Sequence, residues 1–133
     1  MEDAAVLVLR LTLGSVFLAH GWPKVFGPAD GVHGRGRTTR LLTSKGLPVP
    51  QVLAWGVGIS EIVGGALVVV GLFVRLAVIP LAVILMGAVV VVKWNKGFED
   101  GWDWPFSLLG ICVALFLLGG GTWSLDDLLG LSI

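Results

Sequence analysis

Residues 55 to 71 read WGVGISEIVGGALVVVG, an apolar and small-residue run with one ionisable group, Glu61, near its middle. A charge at the centre of a membrane-spanning helix costs about 2.5 to 3.5 kcal/mol even on lenient insertion scales, so such a group turns away from lipid and takes a partner. The basic residue inside another apolar run at comparable depth is Arg10. These two residues predict a bundle of membrane helices with a polar element in its core.

Composition supports the same class. Of 133 residues, 56% are hydrophobic, 14% are charged and 20 are glycine, a balance outside that of soluble globular domains. The reading is an all-α membrane protein, one integral domain over residues 1–133, built as a four-transmembrane-helix bundle with a short interfacial C-terminal helix. Nine basic and nine acidic residues cancel, which leaves no net field to attract nucleic acid. A single cysteine, Cys112, excludes an intramolecular disulfide and a CxxC redox pair. The start Met-Glu-Asp is acidic where a secretory signal needs positive charge, so the first apolar run reads as a retained span.

The spans are expected at about 4–25, 50–70, 74–92 and 104–119. On the first, Arg10, Gly14, Phe17, Gly21 and Lys24 share one stripe at 100° per residue, with His20 to its side. On the second, Ala54, Gly58, Glu61 and Gly65 share a face. Small residues in such stripes allow close helix approach, the main source of association in lipid. With the helices antiparallel and level, Arg10 comes within reach of Glu61, and that pair is the expected polar core. Lys24 divides between that inward stripe and snorkelling to the interface.

Residues 27–47 form a glycine-rich, basic loop in which 38–45 predicts one or two interfacial helical turns ending at Gly46. Pro48 and Pro50 suit the start of the second span. Residues 71–75 are a tight turn from which Arg75 reaches the headgroups, and Pro80 bends the third span mildly. Trp94, Trp102 and Trp104 mark the interface. Asp103 reads as the cap of the fourth span, and Ser124 with Asp127 as a capping box for a terminal helix. Lys24, Arg35, Arg37, Arg40, Lys45, Lys93 and Lys96 fall on one side and Arg75 alone on the other. The positive-inside rule then puts both longer loops in the cytoplasm and both termini outside, in a cell (inner or plasma) membrane.

Leu9-Arg10, Gly14, the segment His20 to Lys24, Gly46-Leu47-Pro48, Glu61 to Gly65, Gly71 to Arg75, Gly97-Phe98 and Gly119 to Asp126 occur in an order that resembles the DoxX family of small bacterial and archaeal membrane proteins. The resemblance covers nearly the whole chain. It implies a four-helix integral membrane protein, often associated with quinol oxidase or oxidoreductase complexes, and it carries the family's inward arginine to Arg10, its second-helix glutamate to Glu61, its lysine ending the first helix to Lys24 and its turn arginine to Arg75. Where many members carry a histidine near the end of the third helix this chain has Lys93, and where they carry a glutamate before the fourth it has Asp103.

Haem or a redox metal needs several converging His, Cys or Met ligands, and His20, His33, Cys112 and Met86 do not supply them. No intrinsic cofactor or metal is therefore expected, and no redox catalysis by the chain alone. Three readings stand. The first is an accessory or anchoring subunit of a membrane redox complex, contributing to a site for a quinone or small hydrophobic ligand among Arg10, Glu61, His20 and Lys24, in a glycine-lined cavity. The second is a small-molecule or proton carrier acting as a homo-oligomer. The third is a purely structural subunit of a larger membrane assembly, in which the polar pair only pins the register.

Overall fold

The computed structural model describes residues 1–28, 30, 31 and 33–131. Helix α1 covers Glu2–Val25, α2 Arg35–Ser44, α3 Pro50–Val70 and α4 Val74–Gly87; α5 covers Asp103–Leu118 and α6 Leu125–Leu128. Four apolar stretches are long enough to cross a membrane: Glu2–Val25, Pro50–Val70, Val74–Lys96 and Phe98–Leu118. The third and fourth are longer than expected. Beyond Gly87 the chain keeps coiling, as a wider i→i+5 turn over Ala88–Lys93 and a 3₁₀ turn over Trp94–Lys96. A second wide turn over Phe98–Trp102, kinked at Glu99 and Asp100, leads into α5. Pro80 lies within α4 without breaking it.

The bundle closes by neighbours: α1 packs mainly on α3, α3 on α4, α4 on α5, and α5 back on α1. At its centre lie Leu13, Phe17, Val68, Val74, Val78, Leu81, Leu85, Cys112 and Leu115. Val52, Ile59, Val63, Val83, Val90, Val113 and Leu117 point outward, as lipid contact requires.

The α1 and α3 backbones approach closely along two pairs of glycines. A Cβ on Gly14 would lie 2.8 Å from the Gly65 carbonyl oxygen, and one on Gly65 would lie 3.0 Å from that of Gly14. Two turns down, a Cβ on Gly21 would come within 3.1 Å of the Gly58 oxygen. Both helices carry their glycines seven residues apart, so Gly14 against Gly65 and Gly21 against Gly58 set one register. Gly14→Ala is accordingly expected to cost about 1 to 3 kcal/mol, read as a lower melting temperature in mild detergent. Gly56→Ala, on the open side of α3 with no atom within 4 Å of the new carbon, should leave stability unchanged or raise it by up to about 1 kcal/mol.

Helix α2 begins three residues before the expected interfacial turns and stops where Gly46 adopts φ +74°. Helix α3 starts at Pro50 as expected. The cap of α5 differs by one position, because Asp103 is already its first residue and its carboxylate accepts from the adjacent Trp104 amide at 2.9 Å. Half of the expected capping box forms: Ser124 Oγ accepts from the Asp127 amide at 3.2 Å and opens α6.

Candidate functional site

Two polar clusters lie along the α1–α3 seam, one near each end. At one end, Arg10 is 2% exposed and donates to four backbone carbonyls. Its Nε reaches Val68 O at 3.0 Å and its Nη2 reaches Val69 O at 2.8 Å. Nη1 reaches Gly120 O at 3.0 Å and Trp123 O at 2.6 Å. The last carbonyls of α3 have no acceptor role within the helix, and a cation there also complements the helix dipole. Arg10 thus joins the end of α3 to the α5–α6 connection. Gly71, at φ +78°, makes room for it: a Cβ there would stand 2.6 Å from Arg10 Nη2 and 2.5 Å from Ser124 Cβ.

Asp126 completes this end. It is 4% exposed, and its two oxygens accept from the amides of Phe73 at 2.7 Å and Val74 at 3.2 Å, while its own amide donates to Gly71 O at 2.9 Å. An anion therefore caps the start of α4, beside the cation that caps the end of α3. Asp3 adds a tie by accepting from the Thr122 amide at 2.9 Å. Asp126→Ala strands two amides and is expected to lose about 1 to 2 kcal/mol, measured by thermal melting in detergent against a Leu128→Ala control on the exposed side of the same helix.

The second cluster lies at the other end. Lys24 Nζ donates to both oxygens of Glu61, at 2.9 and 2.7 Å. The pair is largely shielded, with 15% and 5% of the respective side chains exposed. Gly21 makes the approach possible, since a Cβ on it would come within 2.8 Å of Glu61 Cβ. Arg35, from α2, donates to Lys24 O at 3.2 Å and lies 3.9 Å over the Trp55 ring. It closes the end of α1 as Arg10 closes that of α3.

The expected Arg10–Glu61 pair does not form. In the glycine register Arg10 stands opposite Val69, eight residues or about 12 Å along α3 from Glu61. The partner of Glu61 is Lys24, which therefore turns inward instead of snorkelling. Nor does the glycine face line a cavity, because the backbone of α1 fills it. Arg75 is also reassigned: its Nε and Nη2 donate to Phe116 O at 3.0 Å and Leu117 O at 3.1 Å, capping α5 rather than reaching out to headgroups.

His20 borders the second cluster on the outer surface of α1. Its Nδ1 lies 2.8 Å from Val16 O, a carbonyl that can only accept, so the neutral ring carries its proton there and offers Nε2 as a free lone pair. The ring stacks on Trp104 at 5.6 Å, and Lys93 Nζ lies 5.4 Å from the same indole. Trp94 and Trp102 stack together at 5.6 Å, joined by Phe98 and Phe106. Of the expected site residues, the fold thus gathers Glu61, Lys24 and His20, with Trp104 beside them, and separates Arg10. Arg35 and Asp126 were not singled out. Asp126 carried a faint signal, since it ends the Ser124-Leu125-Asp126 motif.

Four apolar helices with buried, paired charges define an integral, multi-pass membrane protein in contact with the bilayer. The DoxX family model matches residues 5–94, and the chain belongs to the DoxX family. It is 36% identical to "Uncharacterized membrane protein Rv3486" of Mycobacterium tuberculosis (strain ATCC 25618 / H37Rv), over 92% of this chain and 79% of that protein. It is 31% identical to "Putative oxidoreductase CatD" of Bacillus subtilis (strain 168), over 93% of this chain and 86% of that protein. No solved structure matches it.

Proposed function

We propose that the chain is an accessory or anchoring subunit of a membrane redox complex, and that Lys24, Glu61 and His20, with Trp104, form its contact with a quinone-sized ligand. The observation that carries this reading is the shielded Lys24–Glu61 pair inside the spans, with an exposed histidine carrying a free ring nitrogen one turn along α1 from Lys24. An intramembrane ionisable group is by default a functional one, and the oxidoreductase name of the Bacillus relative points to redox work.

The donor inventory decides which residues fit such a ligand. Arg10 has committed four N–H groups to backbone carbonyls and is assigned a structural role. His20 Nε2 is an acceptor suited to a quinol hydroxyl, and the His20–Trp104 stack offers a flat apolar wall at a lipid-facing edge. Lys24 keeps its third N–H, and Glu61 holds the ammonium in place. A bound quinone would supply two-electron, two-proton redox chemistry, while these side chains orient it and accept or hold a proton at His20 Nε2. The catalytic centre belongs to the partner subunits.

The test is mass spectrometry of lipids and proteins on the complex extracted in mild detergent through a C-terminal tag. Redox subunits and an isoprenoid quinone should co-purify with the wild type, and His20→Leu should lose the quinone while keeping the subunits. A lone chain carrying only bulk phospholipid, unchanged by His20→Leu or Glu61→Gln, would overturn the reading. The same reading places both longer loops in the cytoplasm and both termini outside, following the distribution of basic residues. Cysteines introduced at the termini should react with an impermeant maleimide on intact cells, Cys112 being buried and silent; reaction only after permeabilisation would reverse the orientation.

A further inference from the structure

A cleft of about 400 Å³ opens between α2 and the start of α3, lined by Arg35, Gly36, Thr39, Arg40, Gln51 and Trp55. Its charge is one-sided. Residues 31–60 contain Arg35, Arg37, Arg40 and Lys45 and no Asp or Glu, so no carboxylate of its own segment neutralises it. The roles of its polar groups differ. Arg35 is fixed by Lys24 O and the Trp55 ring, and the Thr39 hydroxyl is spent on Arg35 O at 3.0 Å. Among the described residues, the Arg40 and Gln51 side chains are exposed and make no hydrogen bond.

Two guanidinium groups and a carboxamide around one opening match the oxygens of a phosphate group, which arginine binds through paired N–H donors. The setting selects the form of that phosphate. Trp55 stands in the second turn of α3, near the end of a span, where indoles meet headgroups, and beyond it Ile59 and Val63 continue along α3 as exposed apolar side chains on one face. A phosphate held in the cleft would therefore have an apolar track leading into the bilayer below it.

We propose that this cleft binds the phosphate headgroup of an anionic phospholipid, with an acyl chain lying along Ile59 and Val63. The site is separate from the Lys24–Glu61 cluster but braces it, because Arg35 touches both. A seated headgroup would draw α2 onto α3.

The test uses the full-length protein reconstituted in phosphatidylcholine vesicles containing one fifth phosphatidylglycerol, followed by native mass spectrometry of the retained lipid. One phosphatidylglycerol should be retained in preference to phosphatidylcholine, and Arg40→Gln should lower that retention about fivefold, the weight of one basic residue at an anionic surface. Gln51→Ala should lower it in the same direction. Lys96→Gln, a surface charge outside the cleft, should leave it unchanged. Equal retention of both lipids, an unaltered result in Arg40→Gln, or an equal loss in Lys96→Gln would overturn the site. Displacement of phosphatidylglycerol by millimolar inorganic phosphate would assign the cleft to a free anion and overturn the lipid.

Discussion

Arg10→Met should lower stability by about 3 to 5 kcal/mol, since it leaves buried carbonyls at Val68 and Gly120, and part-buried ones at Val69 and Trp123, without their charged donor. The loss should show as a large fall in melting temperature in detergent and as faster proteolysis near residues 119–124. Arg10→Lys separates charge from shape. An ammonium restores the cation opposite the α3 terminus, but its three donors diverge from one point and cannot reach carbonyls on both sides of the turn. It should recover less than half of the deficit. A full recovery would mean that the charge alone matters and that the four directed bonds do not.

The second large effect is expected at Lys24, and it is asymmetric. Lys24→Met strands the Glu61 carboxylate, only 5% exposed, beneath a closed helix seam, and breaking a shielded pair in this way costs about 3 to 5 kcal/mol. Glu61→Gln should cost less, about 1 to 2 kcal/mol, because the 15% exposed lysine sits in the last turn of α1 and can extend to the interface. The combined Lys24→Met, Glu61→Gln variant should recover much of what Lys24→Met loses. Thermal melting of the three variants in one detergent measures all of this, and equal losses from the two single changes would contradict the asymmetry.

Much of this architecture was legible in the residues. The four spans, the helix that stops before Gly46, the start of α3 at Pro50 and the Ser124 cap follow from apolar length, proline and glycine placement and the spacing of a hydroxyl and an amide. The inward faces were right as well: Arg10, Gly14, Phe17, Gly21 and Glu61 are all buried. The pairing between them was not, because levelling two antiparallel helices midpoint to midpoint ignores what fixes their slide. The glycines fix it. Matching Gly14 with Gly65 and Gly21 with Gly58 puts Arg10 beside the end of α3 and leaves Glu61 one turn from Lys24.

Arg75 and Asp126 escaped for a different reason. Their partners are carbonyls and amides at the ends of other helices, and a sequence displays charges but not the backbone groups that a fold leaves open to them. The same holds for Arg35, which reads as one more loop cation until α2 lays it over Trp55 and the end of α1.

The central structural claim is that Glu61 belongs to Lys24 and that Arg10 forms a separate site. A pair of double-mutant cycles on unfolding free energy tests it most directly, with Glu61→Gln combined once with Lys24→Met and once with Arg10→Met. A coupling of about 2 kcal/mol or more is expected for Lys24 with Glu61, and additivity within about 0.5 kcal/mol for Arg10 with Glu61, as groups without shared partners show. Strong coupling between Arg10 and Glu61, with Lys24 and Glu61 additive, would contradict it and return the polar core to a single pair.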